Sequence, residues 1–444
     1  MDVFEEYKKK LKTPDEAVKV VKDGDWVDYS HWVTRPILLD QALARRKDEL
    51  SEVFVRGVQM RGPVAIADVD PEREHFIYNE GYLSGDDRRR AEKAPVYYCP
   101  MTLRDYPKYY REFLHINVAM MQVSPMDRHG FFSLSASAGM AGEVVKNADT
   151  VILEVNEHFP RIHGGPDTFI HISDADIVVE GPHEPFPEKK PARITDVDRA
   201  IAGYIFPYIR SGATLQLGIG GIPDAVGSLI ANSDLKNLGM HSELCSDAFL
   251  DIHNAGKLTG KYKNVLPGKN VLALAGGSRQ LMEWVDDNPS MEINSVSFVN
   301  DPAVMGQIDN FISINSCLTV DLYGQINAET TGLKQLAGSG GQLDFVEGAA
   351  RSKGGASFVC LPSTFTDKQG VRHSNILPHF NGEIATCPRS VSFFIATEYG
   401  AECVMAATVW QRAEKLISLA HPDFREELIR AAEDQGIWRR SNKR

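Results

Sequence analysis

The sequence has no C-x-x-C pair, no long apolar run and no excess of basic charge, and each absence narrows its reading. Six cysteines, Cys99, Cys245, Cys317, Cys360, Cys387 and Cys403, are scattered over 444 residues. That is the pattern of reduced core thiols, not of a disulfide scaffold or a zinc site. No stretch approaches the roughly 18 apolar residues of a membrane-spanning helix. The start, Met1-Asp-Val-Phe-Glu-Glu-Tyr-Lys-Lys-Lys10, is charged and lacks the apolar segment of a secretory signal. Lysine and arginine number 48 against 60 aspartates and glutamates, a formal net charge of −12. This argues against a general nucleic-acid binder, whose phosphate contacts need a basic surface. It leaves room for a small anionic ligand, because a local ring of backbone N–H groups holds phosphate even on an acidic protein. There is no G-x-S-x-G elbow, no H-E-x-x-H and no Gly-Lys-Ser/Thr phosphate loop, which weighs against common hydrolases, zinc proteases and ATP hydrolysis. The expectation is a cytoplasmic protein of small-molecule chemistry, with neither a membrane nor a nucleic acid as partner.

What is present is ordinary in bulk and informative in order. Apolar residues make up 43% and charged residues 24%, and the length suits two or three domains of roughly 150 residues. An internal echo runs through the chain. Val21-Lys-Asp-Gly-Asp-Trp-Val-Asp-Tyr29 resembles Ile209-Arg-Ser-Gly-Ala-Thr-Leu-Gln-Leu217, and each leads to a proline, Pro36 or Pro223, that opens a helix. Phe113-Leu-His-Ile-Asn117 echoes Phe311-Ile-Ser-Ile-Asn315, and the turn Asp127-Arg-His-Gly130 echoes Asp321-Leu-Tyr-Gly324. Between the halves, Gly181-Pro-His-Glu-Pro-Phe-Pro-Glu-Lys-Lys-Pro191 is too rich in proline to continue a helix or central strand. Short apolar runs such as Val151–Val155, Val271–Ala275 and Ser390–Ala396 alternate with helical patterns, which predicts mostly parallel, doubly covered sheets. The predicted fold is α/β: two related open α/β domains at about 1–190 and 195–444, with the active site in the cleft between them. In such sheets ligands bind at the carboxyl ends of strands.

The second half carries glycine clusters that the first lacks. Gln216-Leu-Gly-Ile-Gly-Gly-Ile-Pro-Asp224 joins a strand to a helix, where N–H groups favour an anion or a developing oxyanion. It is not a dinucleotide fingerprint, since Pro223 replaces the third glycine, and a plain tight connection explains it equally well. Ala337-Gly-Ser-Gly-Gly-Gln-Leu-Asp-Phe345 is either a close-wrapping backbone loop or a flexible one, and Ala275-Gly-Gly-Ser278 reads as a strand end. Between the first two lies Gly239-Met-His-Ser-Glu-Leu-Cys-Ser-Asp247, read as a polar turn carrying Glu243. On the residues alone, Glu243 is either a reactive carboxylate or a helix-start residue facing the dipole. His241 and Cys245 do not make a catalytic pair.

These segments together resemble the family I coenzyme A transferases, in the branch of acetyl-CoA hydrolases and 4-hydroxybutyrate CoA-transferases, with butyryl-CoA:acetate CoA-transferases nearest. The resemblance runs the length of the chain through Gly24–Tyr29, Val123–Phe132, Leu217–Pro223, His241-Ser-Glu243, Asp321–Asn327 and Gly338–Phe345. It implies Glu243 as the nucleophile, and Gly218, Ile219, Gly220, Gly221, Ile222 and Gly341 as oxyanion- and CoA-binding backbone. It implies Asn300, Leu318 and Thr364 as substrate contacts. The segment Ser30-His-Trp-Val-Thr-Arg35 departs from the small residues of the family; by the repeat it stands where the glycine turn stands, so the acyl group stays open. The implied reaction moves CoA between a short-chain acyl-CoA, butyryl-CoA foremost, and acetate by a ping-pong route through a glutamyl-CoA thioester. 4-Hydroxybutyrate CoA transfer and acetyl-CoA hydrolysis are the alternatives, and a non-catalytic CoA-binding module is a remote one. Coenzyme A is then a co-substrate, with no permanently bound cofactor and no metal. The partners are acyl-CoA, a short-chain carboxylate and further copies of the chain in a homodimer or larger homo-oligomer.

Overall fold

The central strands of this chain are buried almost without interruption, polar residues included, as in parallel sheets covered on both faces. The computed structural model describes residues 2–186 and 193–439. It divides into two compact units, Met1–Lys189 with Val271–Val299, and Lys190–Asn270 with Asn300–Arg444. Residues 271–299 therefore group with the first unit, where a boundary at 190–195 assigned them to the second. Of the proline-rich linker, residues 181–186 form neither helix nor strand, and the remainder up to Pro191 lies outside the described residues. Among the described residues no helix is long and apolar enough to cross a membrane, and none of the six cysteines is in a disulfide.

The first unit holds an eight-stranded parallel sheet. Its order is Leu11–Lys12, Ile177–Glu180, Ala148–Val155, Ile116–Val123, Trp26–His31, Val53–Val58, Phe76–Glu80 and Tyr97–Tyr98. Val27, Tyr29, Val55, Tyr78, Met120, Ile152 and Val179 pack one core with the helix Ile37–Ala44, which starts after Pro36 as predicted. In the second unit the parallel order is Gly239–Cys245, Thr214–Leu217, Phe311–Ser316, Ala356–Cys360 and Phe394–Thr397. Gly400–Cys403 pairs antiparallel at the edge. The helices Val409–Leu419 and Pro422–Asp434 pack on Val320, Val359 and Ile395.

Taken in chain order, the five parallel strands of the second unit have the same spatial order as Trp26–His31, Val53–Val58, Ile116–Val123, Ala148–Val155 and Ile177–Glu180 in the first. The internal duplication is therefore structural. Register corrects part of its alignment. Val27 pairs with Val118, and Leu215 pairs with Ile312. If Val27 corresponds to Leu215, then Val118 corresponds to Ile312, and the echo between Phe113–Asn117 and Phe311–Asn315 is slid along the strand. The turn alignment agrees with the register. Asp127 Oδ1 accepts from the His129 and Phe131 N–H groups at 2.8 and 2.9 Å, and Asp321 Oδ1 accepts from those of Tyr323 and Gln325 at 3.1 and 2.9 Å. Gly130 and Gly324 each close back on the aspartate carbonyl, at 3.1 and 2.8 Å. An aspartate that accepts from its own following backbone fixes such a turn twice over.

Candidate active site

Glu243 does not sit in a turn. It lies on the strand Gly239–Cys245, near its carboxyl end, and the next helix, Asp247–Asn254, begins only after the Ser246 N-cap. The helix-dipole reading of Glu243 is thereby removed. His241 and Ser242 are fully buried, which is why a segment that looks polar in sequence is still a sheet strand. His241, Glu243 and Cys245 alternate onto one face, as strand geometry requires. Burial pushes the Cys245 thiol far above its usual range, so it is a neutral packing group.

Two donors converge on the Glu243 carboxylate. Asn300 Nδ2 donates to Glu243 Oε2 at 2.9 Å, and the Gly341 N–H donates to the same carboxylate. Asn300 Nδ2 also faces Asp344 Oδ2 at 3.4 Å. Gly341 is the N-cap of the helix Gln342–Arg351. A Cβ there would stand 2.0 Å from Glu243 Oε2 and 2.2 Å from Asn300 Nδ2, so only glycine lets this backbone approach so closely. Glu243 keeps some solvent access, yet the protein packed around its carboxylate raises its pKa; the Asn300 and Gly341 bonds oppose that rise in part. The result is a carboxylate that is desolvated but reachable.

The glycine turn begins one strand away. Thr214–Leu217 neighbours the strand of Glu243, and Ser242 Oγ reaches the Leu217 carbonyl at 3.5 Å. Gln216 and Asn315 lock the strand ends through reciprocal amide bonds of 2.9 and 3.0 Å. Gly218 N–H donates to the Ile314 carbonyl at 2.9 Å. Gly220 has φ +118°, a conformation that side chains disfavour, and caps the helix Gly221–Ala231 without a side-chain hydrogen bond. Ile222 is buried, whereas Ile219 is 39% exposed and extends the turn outward.

The remaining expected contacts are not joined to Glu243 by these hydrogen bonds. Leu318 lines a cavity of about 710 Å³ with Phe365, His373, Phe424 and others, and Glu243 is not in its lining. Thr364 starts a small ribbon opposite Ser374 at the edge of the same cavity. In the first unit, Trp32, Val33 and Arg35 of the departing segment line a cavity of about 380 Å³. Asp344 was not singled out in the sequence, although it stands in the Gly338–Phe345 motif; its contact with Asn300 appears only in three dimensions. Among the described residues no group of three or more His, Cys, Asp or Glu side chains is arranged to hold a metal ion.

Residues 1–188 match the acetyl-CoA hydrolase/transferase N-terminal domain, and residues 277–432 match the C-terminal domain of the same family. The chain belongs to this family. It is a CoA-transferase, as are the relatives it resembles over its whole length. It is 50% identical to the butyryl-CoA:acetate CoA-transferase of Anaerostipes caccae, over 100% of both chains. It is 38% identical to the 4-hydroxybutyrate coenzyme A transferase of Clostridium kluyveri, over 97% of this chain and 98% of that one. The crystal structure of RipA from Yersinia pestis superposes with a TM-score of 0.90 at 32% identity, covering 98% of this CoA-transferase and 100% of RipA.

Proposed function

We propose that this CoA-transferase exchanges CoA between butyryl-CoA and acetate, with Glu243 as the residue that carries first the acyl group and then CoA. One observation carries the assignment of Glu243: a desolvated, reachable carboxylate near a strand's carboxyl end, held by two donors that belong to the same site. The choice of substrates is supported by the full-length 50% identity to a butyryl-CoA:acetate enzyme.

A solvated carboxylate is a weak nucleophile; partial burial makes Glu243 a stronger one. Its oxygen bonds to the thioester carbon, the C–S bond breaks, and CoA leaves as thiolate from an acyl-glutamyl anhydride. The thiolate sulfur then bonds to the glutamyl carbonyl carbon. The bond from that carbon to the bridging oxygen breaks, and butyrate leaves. Acetate runs both steps in reverse. Attack on the glutamyl carbonyl puts negative charge on a Glu243 oxygen, where Gly341 N–H and Asn300 Nδ2 already stand; donors placed in advance stabilise such charge without reorganising. Beyond Gly218, whose N–H is taken by the Ile314 carbonyl, the turn Ile219–Ile222 has no side-chain cap and offers its N–H groups for the oxyanion on the substrate side or for CoA. Coenzyme A is a co-substrate in this scheme, and the enzyme works in the cytoplasm as a homo-oligomer.

The test is Glu243→Ala. Exchange should fall by on the order of 10⁴-fold or more, as for other covalent nucleophiles. Wild-type enzyme treated with butyryl-CoA, without acceptor, and reduced with borohydride should show a mass change on the peptide holding Glu243. Near-normal exchange by Glu243→Ala would reject the assignment. A panel of acyl-CoAs with acetate, in which 4-hydroxybutyryl-CoA outran butyryl-CoA, would replace the substrate.

A further inference from the structure

Asn300 has one amide group facing two acids. Its Nδ2 lies 2.9 Å from Glu243 Oε2 and 3.4 Å from Asp344 Oδ2, so each N–H hydrogen has a carboxylate to point at. Its Oδ1 is buried and has no hydrogen-bond partner. An unpaired buried acceptor is costly, so this orientation is kept by what Nδ2 gains from the two carboxylates. The orientation of Asn300 is therefore imposed by its neighbours. Asp344 and Asn300 are both fully buried. Asp344 also sits in the first turn of the helix that Gly341 caps, so one turn of chain delivers both the Gly341 N–H to Glu243 and a carboxylate to Asn300.

We propose that Asp344 is a positioning residue that keeps the NH₂ of Asn300 turned toward Glu243 while Glu243 itself loses its charge. The inference rests on Glu243 being the residue that carries acyl and CoA. Before reaction, the Glu243 carboxylate attracts the Asn300 N–H by its own charge. Once its oxygen has bonded to the acyl carbon and CoA thiolate has left, Glu243 is a neutral anhydride and its pull on the amide weakens. That is the moment at which the donor is needed, because the thiolate next attacks the glutamyl carbonyl and a Glu243 oxygen becomes an oxyanion. Asp344 stays outside the bond changes, so it still accepts from Asn300 and holds the amide in place through both half-reactions. Without it, Asn300 is free to rotate and present Oδ1, which repels the oxyanion.

The experiment is a double-mutant cycle with Asp344→Asn, which keeps shape but supplies an amide able to satisfy Asn300 in the wrong orientation, and Asn300→Ala. Asp344→Asn should lower kcat for butyryl-CoA:acetate exchange by on the order of 10- to 100-fold, below the full loss of a donor. KM for butyryl-CoA should change less than about threefold, since a residue acting only on the transition state spares ground-state binding. In the Asn300→Ala background the same Asp344→Asn change should lower kcat by less than about twofold, because residues that act through one another are not additive. A kcat for Asp344→Asn within about twofold of wild type, or losses that multiply in the double variant, overturns the proposal. If Asp344→Asn does not fold, Asp344→Ser enters the cycle in its place. Should Glu243→Ala retain exchange, the parent reading falls and this one with it; should Glu243→Ala be inactive while Asp344→Asn is fully active, only the role of Asp344 falls.

Discussion

Each unit carries a carboxylate on a strand of its parallel sheet, Glu154 fully buried and Glu243 only partly so, and the two are used in opposite ways. In the first unit, Glu154 Oε1 accepts from the Ile37 N–H, and Oε2 from those of Leu38 and Leu39, all at 2.9 Å. His183 Nε2 lies 3.0 Å from the same carboxylate. The helix Ile37–Ala44 thus begins on an internal anion that fills its N-terminus. At the matching helix start of the second unit no side-chain cap hydrogen bond is made, although the Asp198 carboxylate stands beside Gly221. Glu154 is paired in register with Gln122, and Cys360 with Ser316, which places Cys360 at the position of Glu154. Burial raises the Cys360 pKa well out of the neutral range, so the group there is an uncharged thiol. The matching helix, Gly221–Ala231, is capped by Gly220 without a side chain.

Glu243 sits elsewhere in the second unit's sheet, on the strand beside Thr214–Leu217, with two donors and solvent access. The turns differ in the same sense. Ser30 and Trp32 are buried at φ +60° and +63°, strained values for residues with side chains, and Arg61 stacks 3.9 Å over the Trp32 ring. The glycine turn is open. Duplication kept one scaffold; in one copy Glu154 accepts from three N–H groups at the helix start, and in the other no side chain caps it.

Three changes probe this contrast. The largest effect is expected from Gly341→Ala, whose methyl would stand 2.0 Å from Glu243 Oε2. It should reduce kcat by about 10²- to 10³-fold, the usual loss for an oxyanion donor, with a thermal midpoint close to that of wild type. Activity within about fivefold of wild type would remove Gly341 from the chemistry.

Next is Glu154→Ala in the first unit. It strands three N–H groups, at about 1 kcal/mol each, so the unit should lose about 3 kcal/mol of stability. Denaturant unfolding reads this, while kcat per folded enzyme should hold; a large kcat loss with intact stability would reverse the assignment of roles.

The smallest effect is on pH dependence. Glu243 must be ionised to attack, and burial raises its pKa. The acid limb of kcat/KM should therefore lie at higher pH than for an ordinary glutamate: activity is full above the raised pKa and falls as pH drops through it. A limb in the ordinary carboxylate range would mean that water reaches Glu243 freely in the working enzyme.

Much of this was legible in the sequence, for physical reasons that differ by element. The parallel α/β architecture followed from apolar runs separated by helical patterns, and Pro36 and Pro223 marked the helix starts. The Asp127 and Asp321 turns aligned the halves correctly because they carry specific hydrogen-bond chemistry. The Phe113 and Phe311 echo misled because apolar strand residues are interchangeable and register leaves no mark on them. Nothing in Val271–Val299 marks its unit, since a buried strand has the same composition in either. Glu243 looked like part of a turn because His241 and Ser242 are polar, though both are buried. The chemistry of Glu243 and the roles of Asn300 as a substrate contact and Gly341 as oxyanion backbone came through family resemblance; the bond between Asn300 and Glu243, 57 residues apart, appears only in the structure. Asp344 stayed hidden because an aspartate in a first helical turn ordinarily needs no further explanation.

The sheet of the first unit has one more consequence. It ends on both sides in strands of two residues, Leu11–Lys12 and Tyr97–Tyr98. A rim so short exposes too few unpaired backbone groups to template a neighbouring chain. The buried β-branched strands between these rims are the part of the unit most prone to aggregate. They are kept from edge-to-edge contact while the unit is folded.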